Sequence, residues 1–359
     1  MSTAGRPRAI VAIPAKDEAE RIPSCLLALA RQTALPDGVL LLPNNCADDT
    51  AAVAVAIAPH LPFRLHVISH SFPPRTANAG HARRLAMHQA ASLTGADGVL
   101  LTTDADGEAA PDWIERNLHA LANGADLVCG RVRLHAAEAA RIPAHLHADD
   151  ALECELRDLL DRMADRLDPD PADPLPRHTE AAGASLAVST LAFRRVGGIP
   201  ALASGEDRAF VQALARIDAR IRHDPAALVT VSGRIDGRAP GGMADTIRRR
   251  ITRQDEFTDE TLEPAADACR RFAVRRRLRQ AWQARADGPG VRALAADLAI
   301  SPALLAGALD RTFFGEAWED VQALSPVLVR RPVRFAELPD QIAVAHRLLA
   351  QHAASPVNA

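Results

Sequence analysis

A doubly wound, mostly parallel α/β sheet followed by a helical C-terminal region is the fold class that this sequence predicts. Three observations carry it. Short apolar runs alternate with helix-like segments from residue 8 to 133, the connections between them are brief, and a polar cluster closes each apolar run in turn. Such clusters fall at the carboxyl ends of the strands, the edge where ligands bind in open α/β sheets. With 359 residues the chain can bury a full core as one large domain or two. Its strand-bearing part is expected over residues 1–240 and its helical part over 241–359.

The elements follow in order. Residues 8–13 read as a strand closed by Pro14, and the polar segment from Ala15 to Arg21 leads into a helix over about 22–32. A second strand, 38–42, ends at Pro43-Asn44-Asn45-Cys46-Ala47-Asp48-Asp49-Thr50, before an alanine-rich helix over 51–58. Residues 65–69 make a third strand, 79–94 a helix and 99–103 a fourth strand. Then come a helix over 112–123, a strand over 126–133 and an amphipathic helix over 148–167. The last has Leu152, Leu156, Leu159, Leu160, Met163 and Leu167 at helical spacing. Pro169, Pro171, Pro174 and Pro176 stiffen the next loop, which reads as a lid or as a plain connector. Small residues over 183–189 suit a strand, 207–215 a helix and about 228–231 a final strand. Residues 233–242 read as a flexible boundary.

Residues 99–113, Val-Leu-Leu-Thr-Thr-Asp-Ala-Asp-Gly-Glu-Ala-Ala-Pro-Asp-Trp, hold the sharpest signal. An apolar run stops at two aspartates one residue apart and restarts as a helix with Pro111 in its first turn. If the strand reaches Asp104 and Asp106, alternation points both into one crevice. Two hard oxygen donors there suit magnesium or manganese, which fill the rest of their shell with phosphate oxygens. Asp-Ala-Asp-Gly is equally an ordinary capped turn.

Composition excludes several classes. The chain is 48% hydrophobic and 24% charged with a formal net charge of −3, so neither a general affinity for nucleic acid nor one for acidic membranes follows. Five scattered cysteines lack the close pairs of a zinc or dithiol site and point to a reducing compartment. Without an apolar leader or a run of membrane-spanning length, a cytoplasmic location is expected. Arg248, Arg249, Arg250 and Arg253, then Arg270, Arg271, Arg275, Arg276, Arg277 and Arg279, make the C-terminal region the most basic. That reads as a solvated helix face, with peripheral contact to a lipid or phosphate surface as the sharper option. Residues 291–309 have a helix-turn-helix look, but 301–309 carries no arginine, asparagine or glutamine to reach base edges. Nucleic-acid binding is therefore not expected, and helix pairing in a core or a homodimer contact is.

Five motifs over about residues 8–240 resemble, in order, those of the family 2 nucleotide-sugar glycosyltransferases. Ile13-Pro14-Ala15-Lys16-Asp17-Glu18 is similar to that family's first-strand motif, Asp48-Asp49-Thr50 to the end of its second, and Ala82-Arg83-Arg84 to its Ala-Arg-Asn. Asp104-Ala105-Asp106 resembles its Asp-x-Asp signature, and Glu206-Asp207 the pair that carries its general base. The resemblance implies a Rossmann-like glycosyltransferase A fold, with a nucleotide-binding half over about 8–133 and an acceptor half over 134–240. It implies a nucleoside-diphosphate sugar donor facing Pro14, Ala15, Glu18, Asn44, Arg83 and Asp104. A divalent metal, magnesium or manganese, would sit on Asp106 with Asp104. Asp207 would be the base and Glu206 would position the acceptor, with Trp113, Gly183 and Ala184 expected on the acceptor side.

Chemistry supports the same roles: a departing diphosphate needs neutralising, and an acceptor hydroxyl is a poor nucleophile until its proton is taken. Departures from the family pattern matter too. Asn44 stands near the place of a uracil-binding aspartate, and an amide can read either a uracil or a guanine edge. No Gln-x-x-Arg-Trp motif follows Asp207, which argues against processive synthesis. Where some relatives supply a histidine to the metal, this chain reads Ser232-Gly233-Arg234, and His223 is expected before the last strand. The rivals are a sugar nucleotidyltransferase, disfavoured by the acidic, glycine-free loop Pro14-Ala15-Lys16-Asp17-Glu18, and an inactive sugar-nucleotide-binding protein with a C-terminal interaction module.

Overall fold

A computed structural model describes residues 6–237, 242–253 and 255–354. Among them, eight strands form one sheet: β1 (Ala9–Ala15), β2 (Gly38–Pro43), β3 (Arg64–Val67), β4 (Val99–Thr102), β5 (Glu108–Ala109), β6 (Leu127–Leu134), β7 (Leu186–Ser189) and β8 (Ile221–Val231). Their order is β3-β2-β1-β4-β7-β6-β8-β5. The first four are mutually parallel in that order. β7 is antiparallel to both of its neighbours, and β8 is parallel to β6. The sheet is thus mixed, with β6 and β8 pointing the same way as β1 to β4.

Residues of β1 are buried on both faces, as expected of a central strand covered by helices on either side. Val11, Ile13 and Ala15 meet Ile22, Leu26 and Leu29 of the helix Ile22–Ala30 in one core; Ile10 and Ala12 join Ala82, Ala86 and Met87 of the helix Ala79–Thr94 in the other. Asn78 caps that second helix by accepting from the His81 N–H, which fixes where the helix begins and so where Arg83 lies.

Several elements differ from the sequence reading, the helices Ala136–Ala139 and Thr190–Arg195 among them. The two-residue β5 is too short to show a period. β8 begins at Ile221, seven residues before the expected start, because Pro225 and a register shift opposite Gly130/Arg131 interrupt its alternation. His223 therefore lies within the last strand, not before it. The helix expected over 148–167 runs from Ala144 to Leu167.

The described residues fall into two compact units, drawn from Met1–Ile142, Glu180–Leu214 and Ala219–Thr252 for the first, and from Pro143–Thr179, Ala215–Asp218 and Arg253–Ala359 for the second. The expected acceptor half, 134–240, is shared between them. Its expected end at 240, with 238–241 of the supposed flexible boundary, lies outside the described residues. In the second unit the helix Ala144–Leu167 packs Leu156, Leu160 and Met163 against Ala268 of Ala265–Gln283 and Ile342 of Leu338–Ala354. The pair with the helix-turn-helix look, Gly288–Asp297 and Pro302–Leu309, bends by 109° and buries Leu294, Leu298 and Leu305 with Phe314 and Val321. Among the described residues no single helix is long and apolar enough to cross a membrane.

Candidate active site

Parallel strands bring their carboxyl ends to one edge, so β1, β2, β4 and β8 deliver their following loops there, and the antiparallel β7 delivers the loop before it. Glu18, Asn44, Asp104, Asp106, Gly183 and Arg234 thereby share one edge. β4 stops at Thr102, and Asp104 to Gly107 form a turn closed by the Gly107 N–H donating to the Asp104 carbonyl at 2.9 Å. A Cβ on Gly107 would come within 2.7 Å of Thr103 Oγ1, so a larger residue there would displace the Thr103 side chain. The aspartates sit on a turn, not on a strand, and strand alternation does not set their directions. Turn and candidate site are one object.

Arg83 orders it. Its guanidinium is buried, the residue being 5% exposed, and four of its N–H groups are taken within the protein. Nε donates to Glu206 Oε1 at 3.0 Å, one terminal nitrogen to Thr102 Oγ1 at 2.9 Å and the Gly183 carbonyl at 2.7 Å, and the other to Asp104 Oδ1 at 2.6 Å. Burial works against its charge, but Asp104 and Glu206 outweigh it and raise the guanidinium further above its ordinary range. The fork needs the backbone close: a Cβ on Gly183 would meet the Arg83 guanidinium at 2.5 Å. Gly183 in turn donates its N–H to Asp207 Oδ2 at 2.8 Å, and Asp207 Oδ1 accepts from the Arg208 N–H at 2.8 Å. Asp207 is half-buried in the first turn of the helix Glu206–Arg216. One hydrogen-bonded chain therefore joins Asp104, Arg83, Glu206, Gly183 and Asp207.

A second cluster surrounds Asp106, whose side chain is 12% exposed against 39% for Asp104. Burial first, and then the Asp104 charge, push the Asp106 carboxyl up to about 7 although Arg234 opposes them. Arg234 forks onto Glu18 at 3.0 and 2.5 Å and reaches Asp106 Oδ2 at 3.4 Å. Asp104 and Asp106, hard oxygen donors two residues apart with the latter incompletely compensated, fit a divalent cation. Another group, Asp17, Cys46 and Asp48, brings ligand-type atoms within 4.8 Å of one another, yet these atoms already bond to the backbone N–H groups of Ala47, Asp17 and Ala19.

The remaining expected residues divide. Pro14 and Ala15 end β1, and the Ala15 carbonyl accepts from the Asn44 N–H at 2.8 Å. Asn44 is buried, with an amide oxygen that has no hydrogen-bond partner among the described residues. Trp113 is not on an acceptor surface: it is fully buried, its indole N–H donates to Ser185 Oγ at 2.9 Å, and a side chain without accessible area touches no ligand. Ala184 is likewise buried, and Gly183 acts through its backbone. Sequence reasoning missed Thr102, the contacts of Arg234 with Glu18 and Asp106, and the Arg21–Glu138 pair whose carboxylate accepts from Ser232 Oγ and the Gly233 N–H at 2.9 and 2.5 Å. Arg234 and Glu18 lie 216 residues apart, beyond any local pattern.

Residues 10–178 match the profile described as glycosyl transferase family 2. No curated protein sequence matches the chain. Among solved structures, a mannosyltransferase from Pyrobaculum calidifontis in complex with GDP-Man and Mn2+ is 17% identical over 89% of this chain and 87% of its own, with a TM-score of 0.48. TarS 1-349 from S. aureus in complex with UDP is 14% identical over 96% and 90%, with a TM-score of 0.45. Glucosyl-3-phosphoglycerate synthase from Mycobacterium tuberculosis, with Mn2+, UDP-Glc and phosphoglyceric acid, is 18% identical over 69% and 79%, with a TM-score of 0.41.

Proposed function

We propose that this chain, whose residues 10–178 carry a family 2 glycosyltransferase domain, moves a sugar from a nucleoside-diphosphate sugar to an acceptor hydroxyl. The observation that carries the reading is the buried Arg83, which ties the acidic turn at Asp104 to Glu206 and, through Gly183, to Asp207. A donor on the turn and an acceptor beside the helix Glu206–Arg216 are then held in one frame, and orientation of this kind is a large part of a bimolecular barrier.

The acceptor oxygen bonds to the anomeric carbon while the bond from that carbon to the diphosphate oxygen breaks, its electron pair leaving on the diphosphate. Asp207 takes the hydroxyl proton. Two backbone N–H groups, those of Gly183 and Arg208, hold its carboxylate and set its direction. Glu206, locked on Arg83, is a positioning residue. A divalent cation on Asp106 and Asp104 would neutralise the leaving diphosphate as a Lewis acid. Asn44, with its unpaired amide oxygen, is the candidate reader of the base. The reading includes a non-processive, cytoplasmic enzyme with residues 1–240 as catalytic domain.

Calorimetry and turnover on two variants test it. Asp106→Ala is expected to abolish metal-dependent donor binding; Asp207→Asn is expected to keep donor binding and lower kcat about 10²- to 10⁴-fold, the usual contribution of a positioned base. Normal turnover in either variant would overturn that residue's role.

A further inference from the structure

The segment after β8 places a cation where the acidic edge faces a divalent ion. Ser232 and Gly233 are fixed by Glu138, which accepts from Ser232 Oγ at 2.9 Å and the Gly233 N–H at 2.5 Å, and the Arg234 N–H donates to Ser232 Oγ at 3.1 Å. These bonds from Glu138 and Ser232 thus set the position of residue 234 without help from its own side chain. The guanidinium is free of that duty, yet it extends back to the turn, forks onto Glu18 and stands 3.4 Å from Asp106 Oδ2. At that distance it is an ion pair rather than a tight hydrogen bond, and it can persist on Glu18 while Asp106 is released.

Charge bookkeeping on this edge gives the pair its meaning. Arg83 is committed to Asp104 and Glu206. Arg234 is left facing Glu18 and Asp106, carboxylates whose side chains are only 6% and 12% exposed. A buried carboxylate without a counter-ion is costly, so a cation must be supplied by the chain or by the solution.

We infer that Arg234 is a resident cation of the acidic edge: held by Glu18, it supplies part of the countercharge at Asp106 and competes with a divalent ion for that carboxylate. The inference rests on the metal-site reading above and deepens it. It implies an edge whose negative charge stays partly offset between metal-binding events, and a metal affinity lower than the two aspartates alone would give.

Manganese titrations followed by the electron paramagnetic resonance of free Mn2+ test this without turnover. Arg234→Gln is expected to tighten Mn2+ binding roughly tenfold, in keeping with removal of one unit charge a few ångströms away at the effective dielectric of a protein edge. Arg234→Lys, which keeps the charge, is expected to stay within about twofold of the unaltered chain on the same argument. Unchanged or weaker binding in a folded Arg234→Gln overturns the inference. Asp106→Asn separates the two levels: if it leaves Mn2+ binding intact, the metal-site reading fails, whereas if it removes binding while Arg234→Gln changes nothing, only the competition fails. Should Arg234→Gln not fold, the unaltered chain decides. Its Arg234 Nε–H resonance, identified by its loss in Arg234→Lys, must move on Mg2+ addition, and a resonance that stays fixed while Mg2+ binds overturns the inference.

Discussion

Two regions of this chain are dense in charge, and they use it in opposite ways. Along the helix Ala265–Gln283 nearly every arginine described finds its carboxylate inside the same unit. Arg271 forks onto Glu263 with both side chains about 95% buried; Arg275 and Arg279 share Asp168; Arg277 meets Asp297. Arg279 also lies 4.4 Å from the centre of the Phe314 ring. At the carboxyl edge of the sheet, carboxylates outnumber the cations that meet them: Glu18, Asp104, Asp106, Glu206 and Asp207 against Arg83 and Arg234. Charge density alone does not mark a site. A site is marked where compensation is left incomplete.

That contrast can be broken by matched substitutions. Arg83→Lys removes the fork that joins Asp104, Thr102, Gly183 and Glu206, since one ammonium cannot reach four acceptors in a plane. Turnover is expected to fall at least about 10²-fold, as for other misplacements near 1 Å. Arg271→Met, in the other region, removes the fork from Glu263 while leaving that carboxylate buried. A loss of about 3–5 kcal/mol in unfolding free energy is expected, with turnover per folded molecule unchanged. Denaturant melts and kcat on both variants check the pair. If Arg271→Met lowered kcat as strongly as Arg83→Lys, the division between structural and functional charge would collapse.

Much of the edge was legible because local rules govern it. The alternation of apolar runs and helices foretold the parallel pairing of β1 to β4, and Asp-Ala-Asp-Gly was legible as a turn because its aspartates and Gly107 are turn residues. Asp207 was legible as a helix-start acid, where its carboxylate meets backbone N–H groups. What escaped was set by packing over long separations. Trp113 resembles a surface aromatic after a polar turn, yet its partner Ser185 stands just before β7, 72 residues on, where no local spacing reveals it. Ser232-Gly233-Arg234 was legible as the stretch where some relatives place a metal histidine, but the pairing of Arg234 with Glu18 and Asp106 emerged only once β8 proved parallel to β6, which sends its following loop to the same edge as Glu18.

A smaller effect separates the regions by pH. The Asp106 carboxyl, raised by burial and by Asp104 to about 7, makes ionisation costlier in the folded than in the unfolded chain. The penalty is absent below the ordinary range near 4, grows through the interval, and is complete above 7. In metal-free protein, Asp106→Asn is therefore expected to stabilise on the order of 2–4 kcal/mol at pH 8 and to be neutral near pH 4, the pKa displacement setting the scale. Melts of both proteins across pH 4–8 check this, and a constant difference between them would show that burial, not ionisation, governs the position.

Glu138 carries the opposite sign and the smallest effect. Burial opposes its charge, but hydrogen bonds from Arg21, the Gly233 N–H and Ser232 Oγ outweigh that and hold the carboxyl at about 2. A carboxylate held below its ordinary value contributes stability that is fully present above about 4.5 and is lost as pH falls toward 2. Glu138→Gln keeps the shape and removes the charge, so a cost of about 1–2 kcal/mol is expected at pH 7, the usual worth of a charge-assisted bond. The gap should close as pH approaches 2. Because Glu138 places Ser232 and Gly233, the same variant loosens Arg234 from Glu18 and Asp106. If its Mn2+ affinity equalled that of the unaltered chain, the position of the Arg234 guanidinium would not depend on the backbone that carries it, and the incomplete compensation at Asp106 would need another source.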